Sequence, residues 1–249
     1  MRLPSLRGFW KLTWVETKIF AREPMGFFAT LVMPVVLFVI LGRAFGTGMQ
    51  SKAPDVGITF NAAILAAVVI AINAVQSLMA IIAIYREGGI LKRLRATPLS
   101  PVTILGAHVV VKLGFTVVST SLLVLAGRRL FPGVMHVSVI SFGLAVLLST
   151  LSILSLGFVL AGLVPTSRFA QPLGAVVLYP MLAISGLFYP VKLLPQWMQI
   201  IAAALPTTHA VSLMQGVWDG SGWQWTNAAA LLVLFVVYTA LSTRIFRWE

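Results

Sequence analysis

Six apolar runs, each near the length that crosses a bilayer, constrain this chain more than any other feature of it. A helix rises about 1.5 Å per residue, so about 20 mostly apolar residues are needed to cross a hydrocarbon core about 30 Å thick. The runs are 26–45, 58–84, 102–126, 137–164, 172–189 and 227–246. Of the 249 residues, 59% are hydrophobic and 10% charged, against about 45–50% and about 25% in soluble domains. A core of this size cannot bury that much apolar surface, and lipid is the solvent that suits it. The expected fold is all-α: one polytopic membrane domain over residues 1–249 with six transmembrane helices. The first run starts near Met25 and no small-residue cleavage site follows it, so it is expected to be a retained span and not a signal peptide.

Basic residues orient membrane proteins because they are held back in cytoplasmic loops. With an even number of spans, both termini lie on one side. That side carries Arg2, Arg7, Lys11, Lys18 and Arg22, then Arg86, Lys92, Arg93 and Arg95, then Arg168, Arg244 and Arg247. The opposite side carries only Arg43, Lys52, Arg128, Arg129 and Lys192. Both termini are therefore expected in the cytoplasm, in the cell (inner) membrane. All seven tryptophans fall at predicted boundaries or loops, where their amphipathic rings are favoured. The net charge of +12 is thus a topology signal. No basic face with base-stacking aromatics accompanies it, so no nucleic-acid partner is expected.

Residues 5–22 are too polar to span. Wound at 100° per residue, Arg7, Lys11, Lys18 and Arg22 fall within about 60° of arc. Leu6, Phe9, Leu12, Ile19 and Phe20 take the opposite side, with Trp10 and Trp14 at its edge. This is a basic amphipathic helix for the membrane interface, in contact with lipid. It serves as a surface anchor, or as an anchor that also touches a cytoplasmic partner. Glu16 sits near the centre of the apolar arc, where a lone carboxylate is costly; a basic group from elsewhere in the chain is its expected partner.

The loop 85–101 reads YREGGILKRLRATPLSP. Gly88 and Gly89 end the second span, and Pro98 and Pro101 precede the third. Between them Ile90, Leu91 and Leu94 alternate with Lys92, Arg93 and Arg95 at helical spacing. Two readings stay open: a basic loop that fixes topology, or a short amphipathic helix tied at both ends to long spans and able to transmit a push. On the other side, Pro190, Pro195 and Pro206 cut 190–226 into pieces. Residues 195–205 and 207–218 are helix-like but about half the crossing length, as re-entrant or interfacial elements would be. Thr207 or Thr208 is expected to cap the second piece. His209 is either a ligand contact or a hydrogen-bonded structural residue.

Within the spans, Asn73, Gln76 and Ser77 share a face of the second. His108, Lys112, Thr116, Ser119 and Thr120 form a stripe on the third, and Ser149, Ser152 and Ser155 one on the fourth. Such groups commonly join helices in lipid. Lys112 lies about 15 Å into its span at 1.5 Å per residue and is expected to snorkel or to pair. None of the six acidic residues falls inside a predicted span, which argues against a proton-coupled carrier, although sodium coupling through backbone carbonyls stays open. There is no H-E-x-x-H, no cysteine and no histidine with a nucleophile partner, which argues against an intramembrane enzyme and gives no catalytic or metal site. No G-x-x-x-x-G-K-[ST] loop occurs either, so any ATPase has to come from another polypeptide.

The segment Arg86, Glu87, Gly89, Leu91, Leu94, Thr97 and Pro98 matches R-E-x-G-x-L-x-x-L-x-x-T-P. Arg22, Pro24 and Pro34 lie upstream of it. Residues 185–220, SGLFYPVKLLPQWMQIIAAALPTTHAVSLMQGVWDG, lie downstream. In this order on a six-span frame, these features resemble the type-2 permeases of ABC transporters, which include daunorubicin-resistance-like drug, lipid and polysaccharide exporters. His108 and Lys92 depart from the residues common there. The resemblance implies an ATP-driven exporter subunit whose loop, through Arg86, Glu87, Leu91, Arg93, Leu94, Arg95 and Thr97, docks on a separate ABC ATP-binding subunit. That subunit would hold the ATP and Mg. It also implies a second permease copy or homologous permease, an outer lid from the re-entrant pair, and spans two and five facing the path. Asn73, Gln76, Met181, Ser185 and Phe188 are then candidate substrate contacts. The alternatives are an ion-coupled secondary transporter and, behind it, an intramembrane enzyme.

Overall fold

A computed structural model describes residues 6–45, 62–89, 101–130, 138–164, 166–187 and 189–245. Every regular element among them is helical. Helix α1 (Leu6–Arg22) leads into α2 (Pro24–Phe27), a π-turn (Phe28–Val32) and α3 (Met33–Phe45). The second segment runs through α4 (Ala62–Ile72), a π-turn (Asn73–Ser77) and α5 (Leu78–Glu87). Then come α6 (Pro101–Leu130), α7 (Val139–Leu163), α8 (Ser167–Ala183), a 3₁₀ turn (Val191–Leu193), α9 (Gln196–Ala204), α10 (Pro206–Trp218) and α11 (Trp225–Ile245).

Among the described residues, four helices are long and apolar enough to cross a membrane: Ala63–Glu87, Gly106–Leu130, Val139–Leu163 and Trp225–Ile245. They correspond to predicted spans two, three, four and six. The α9–α10 pair would add a fifth if it counts as one broken span, but it bends by 84° at Leu205. The first predicted span is helical and carries a π-turn near its start, and its apolar stretch among the described residues, Phe28–Ile40, is shorter than those four. The fifth falls elsewhere than the apolar run suggested. Helix α8 starts at Ser167, five residues before Pro172, and ends at Ala183, well short of 189. Pro172 and Pro180 lie inside it. At the far end Gly186 takes a φ of +88°, a left-handed turn that glycine makes without steric cost and that ends the helix.

The glycine pair after α5 behaves as its sequence suggests. Gly88 N–H bonds Ile84 O at 2.9 Å, Gly89 N–H bonds Arg86 O at 3.1 Å, and Gly89 sits at φ +65°. The second span forms the centre of the molecule: Ile70, Leu78, Met79 and Ile82 are fully buried. It is flanked by α6, α7, α8 and α10. Helix α7 comes closest. A Cβ built on Gly157 would stand 2.1 Å from Ala74 O, so only glycine permits this approach, the small-residue packing typical of membrane helices. Helix α11 packs along α7 and leaves Leu232, Val233, Val236 and Val237 exposed, an apolar face suited to lipid.

Candidate functional site

Three consecutive side chains at the end of α5 each reach a different element. Tyr85 Oη donates to Glu16 Oε1 on α1 at 2.8 Å. Arg86 Nη1 donates to Val164 O at 2.6 Å and Nη2 to Ala161 O at 3.4 Å, two carbonyls at the end of α7. The last carbonyls of a helix have no partner within it, and a cation there also complements the dipole. Glu87 turns to the next helix. Its Oε1 accepts the Ser167 backbone N–H at 2.8 Å and its Oε2 accepts the Ser167 hydroxyl. Thr166, the residue in the N-cap position, makes no side-chain cap bond, so α8 takes its cap from Glu87, on another helix. Arg86 and Glu87 thus close the α7–α8 corner from both sides.

Glu16 is buried, as its place in the apolar arc required. Besides Tyr85 Oη it has His108 Nε2 at 3.7 Å, and the Tyr85 and His108 rings lie 5.4 Å apart. The hydrogen-bond donor to Glu16 is therefore a phenol, and the basic group nearest to it is a histidine whose Nε2 makes no hydrogen bond. The face bearing Glu16 packs on α6 instead of lying wholly in lipid: Thr13, Glu16 and Phe20 are buried while Trp10, Trp14, Val15 and Ile19 are exposed. Lys112 pairs and does not snorkel. Its ammonium donates to Ser77 Oγ and stands 4.8 Å from the centre of the Phe20 ring, within cation–π range.

The two π-turns meet. Thr30 Oγ1 in the first donates to Asn73 Oδ1 in the second at 3.1 Å, Asn73 Nδ2 donates to Val69 O, and Ser119 Oγ on α6 donates to Thr30 O at 2.7 Å. The polar faces of spans two and three therefore join helices, as expected of such stripes. Of the candidate path residues, Asn73, Met181 and Ser185 are buried within the chain, and Ser185 Oγ bonds Leu182 O. Gln76 is half-buried against Gly174. Phe188 lies outside the described residues, as do Leu91, Arg93, Leu94, Arg95 and Thr97.

Neither Thr207 nor Thr208 caps α10; both hydroxyls are buried without a partner. Pro206 starts the helix, which places the threonines inside its first turn, past the cap position. His209 is structural: Nε2 donates to Ala203 O at 3.0 Å and Nδ1 meets Asn227 Oδ1 at 2.9 Å. Tyr238 Oη on α11 donates to Ala204 O at 2.9 Å, so the bend between α9 and α10 is held from both sides.

A model of the ABC-2 type transporter family matches residues 7–218. The chain belongs to the ABC-2 type transporter family. It is a multi-pass transmembrane permease of that type. Over 75 residues it is 33% identical to the daunorubicin resistance ABC transporter permease protein DrrB1 of Streptomyces coeruleorubidus, a stretch covering 29% of this chain and 26% of that protein. It is 29% identical over 166 residues to the inner membrane transport permease YhhJ of Escherichia coli, covering 65% of this chain and 44% of YhhJ. It is 25% identical over 221 residues to the putative transport permease ycf38 of Porphyra purpurea, covering 83% and 72%. The chain thus spans about a quarter and less than half of the first two relatives. Two residues that the permease's α5 end brings into play escaped the sequence reading, Tyr85 at Glu16 and Ser167 at the α7–α8 corner. Ser167 follows Pro165-Thr166, the kind of helix-start signal that could have revealed it. Tyr85 had no such signal.

Proposed function

We propose that this ABC-2 permease is the membrane subunit of an ATP-driven exporter of the inner membrane, moving a hydrophobic drug, lipid-like or glycan substrate outward. In this reading six segments cross the bilayer, with α2–α3 and α8 as the first and fifth. Both termini lie in the cytoplasm, and the bent α9–α10 pair is a re-entrant lid on the outer side. Two permeases, identical or homologous, enclose the path. A separate ABC ATP-binding subunit holds ATP and Mg and docks on residues 90–100 through Leu91, Arg93, Leu94, Arg95 and Thr97.

The observation that supports it is the root of that loop. Arg86 and Glu87 tie the last turn of α5 to the end of α7 and the start of α8. A displacement of the loop would therefore move the α7–α8 corner with the second span, and not one helix alone. ATP can drive this only if the dimerised ATPase prefers one permease conformation. Glu87, though bonded to Ser167, is exposed and can also meet a docked subunit. Asn73, Gln76, Met181, Ser185 and Phe188 are the proposed path residues; of the four that are described, Gln76 is the one with free surface in the single chain, so Asn73, Met181 and Ser185 would be reached by rearrangement.

The test is affinity purification from the native host in mild detergent. A P-loop ATPase should co-purify near stoichiometrically and be lost on Glu87→Arg or on deletion of residues 88–95. A chain that purifies alone and supports ion-gradient-driven flux in liposomes without ATP would overturn the reading in favour of a secondary transporter.

A further inference from the structure

Two apolar grooves flank α6 at its end away from α1. One, of about 280 Å³, lies between α6 and α7 and is lined by Val117, Val124, Leu125, Phe142 and Val146, with Arg128 at its end. The other, of about 440 Å³, lies between α6 and the first helical segment and is lined by Leu31, Val35, Leu122 and Ala126, with Arg129 at its end. Leu125 borders both and forms the ridge between them. The first groove follows α6 from Val117 to Arg128, roughly 17 Å at 1.5 Å per residue. That is about the depth of one leaflet of a 30 Å hydrocarbon core.

The arginines at the groove ends are exposed. Among the described residues neither arginine has a carboxylate within ion-pair distance. They also lie on the side where the chain carries few basic residues, so the positive-inside bias does not account for them.

We propose that this ridge is a binding site for one anionic diacyl phospholipid. Its phosphate sits on Arg128 and Arg129, and its two acyl chains straddle Leu125, one in each groove. Two adjacent residues on a helix point about 100° apart, so Arg128 borders one groove and Arg129 the other, and their long, exposed side chains reach one headgroup position at the ridge between them. A phosphate accepts from both, bidentately where the fork allows, and the all-but-apolar walls take the hydrocarbon. Neither a zwitterionic lipid, whose own choline competes for the phosphate, nor a single-chain amphiphile uses every part of this arrangement. The site is independent of the transport path proposed above.

The experiment is native mass spectrometry of the purified full-length chain in detergent micelles containing phosphatidylglycerol or phosphatidylcholine with matched acyl chains. The wild type should retain phosphatidylglycerol with roughly tenfold higher affinity, in line with the electrostatic attraction of two basic side chains. Arg128→Gln together with Arg129→Gln should abolish that preference while leaving phosphatidylcholine binding unchanged. Arg43→Gln, which alters an exposed arginine lining neither groove, should keep it. Both substituted arginines are exposed, so folding is not at stake. Equal retention of the two lipids by the wild type would overturn the proposal, as would a preference that survives the double substitution. A double variant that changes oligomeric state instead would assign the face to a second copy of the chain.

Discussion

Glu16 shows how much one side chain can demand. A carboxylate buried near the membrane interface is tolerated only when it is hydrogen-bonded, and here Tyr85 Oη provides the bond at 2.8 Å with His108 behind it. Removing the phenol leaves the carboxylate short of its nearest donor. Tyr85→Phe should therefore destabilise the protein by about 1.5–3 kcal/mol, the usual range for a hydrogen bond to a charged group, seen as a lower Tm in detergent. Glu16→Gln should cost less than Glu16→Lys, which would place a second cation beside His108 and Lys112. If Tyr85→Phe melts with the wild type, the bond is not formed in the folded protein. That Glu16 needs a partner was legible from its angle on the helical wheel. That the partner is Tyr85, sixty-nine residues away, was not, because nothing local distinguishes this tyrosine.

Between elements, the caps matter more than the apolar lengths. Helix α8 begins where Glu87 supplies a cap, and the apolar run that suggested 172–189 reported composition without this anchor. Ser167→Ala removes the hydroxyl half of the contact, and Glu87→Gln weakens both halves. Each should speed amide hydrogen exchange over residues 164–170 while leaving the centre of α7 protected. Arg86→Gln should do the same from the other side of the corner by freeing the Ala161 and Val164 carbonyls. Unchanged exchange in all three would mean that the corner is held by packing alone. The α9–α10 bend makes a parallel case. His209→Ala leaves Ala203 O and the Asn227 carboxamide without their imidazole, and should loosen exchange across residues 200–210 with little effect on α11, whose Tyr238 still holds Ala204. The short helices themselves were readable from Pro195 and Pro206. Their mutual angle of 84° was not, since proline sets where a helix starts and leaves its direction to the neighbours.

For the whole molecule the decisive contact is between the second and fourth segments. Gly157 of α7 leaves no room for a Cβ against Ala74 O, whereas a Cβ on Gly114 or Gly143 would meet nothing within 4 Å. Gly157→Ala has to push two backbones apart, an overpacking of the costly kind. It should abolish monodisperse protein on size exclusion or lower Tm by many degrees. Gly114→Ala and Gly143→Ala should be neutral or slightly stabilising, because alanine is the better helix former. In the sequence these glycines look alike, each inside an apolar helix. What the sequence determined by itself is what depends on the solvent and on local geometry: an all-helical membrane chain, four of its long spans, the amphipathic amino-terminal helix, the glycine stop after Glu87 and the family pattern around it. Hydropathy and helical periodicity act along the chain and need no partner to be read. Which face meets which neighbour, where α8 starts, what satisfies Glu16 and which glycine is irreplaceable were decided only by the tertiary structure. In lipid, the hydrophobic effect does not choose among apolar faces, so close backbone approach and a few hydrogen bonds between distant residues make that choice.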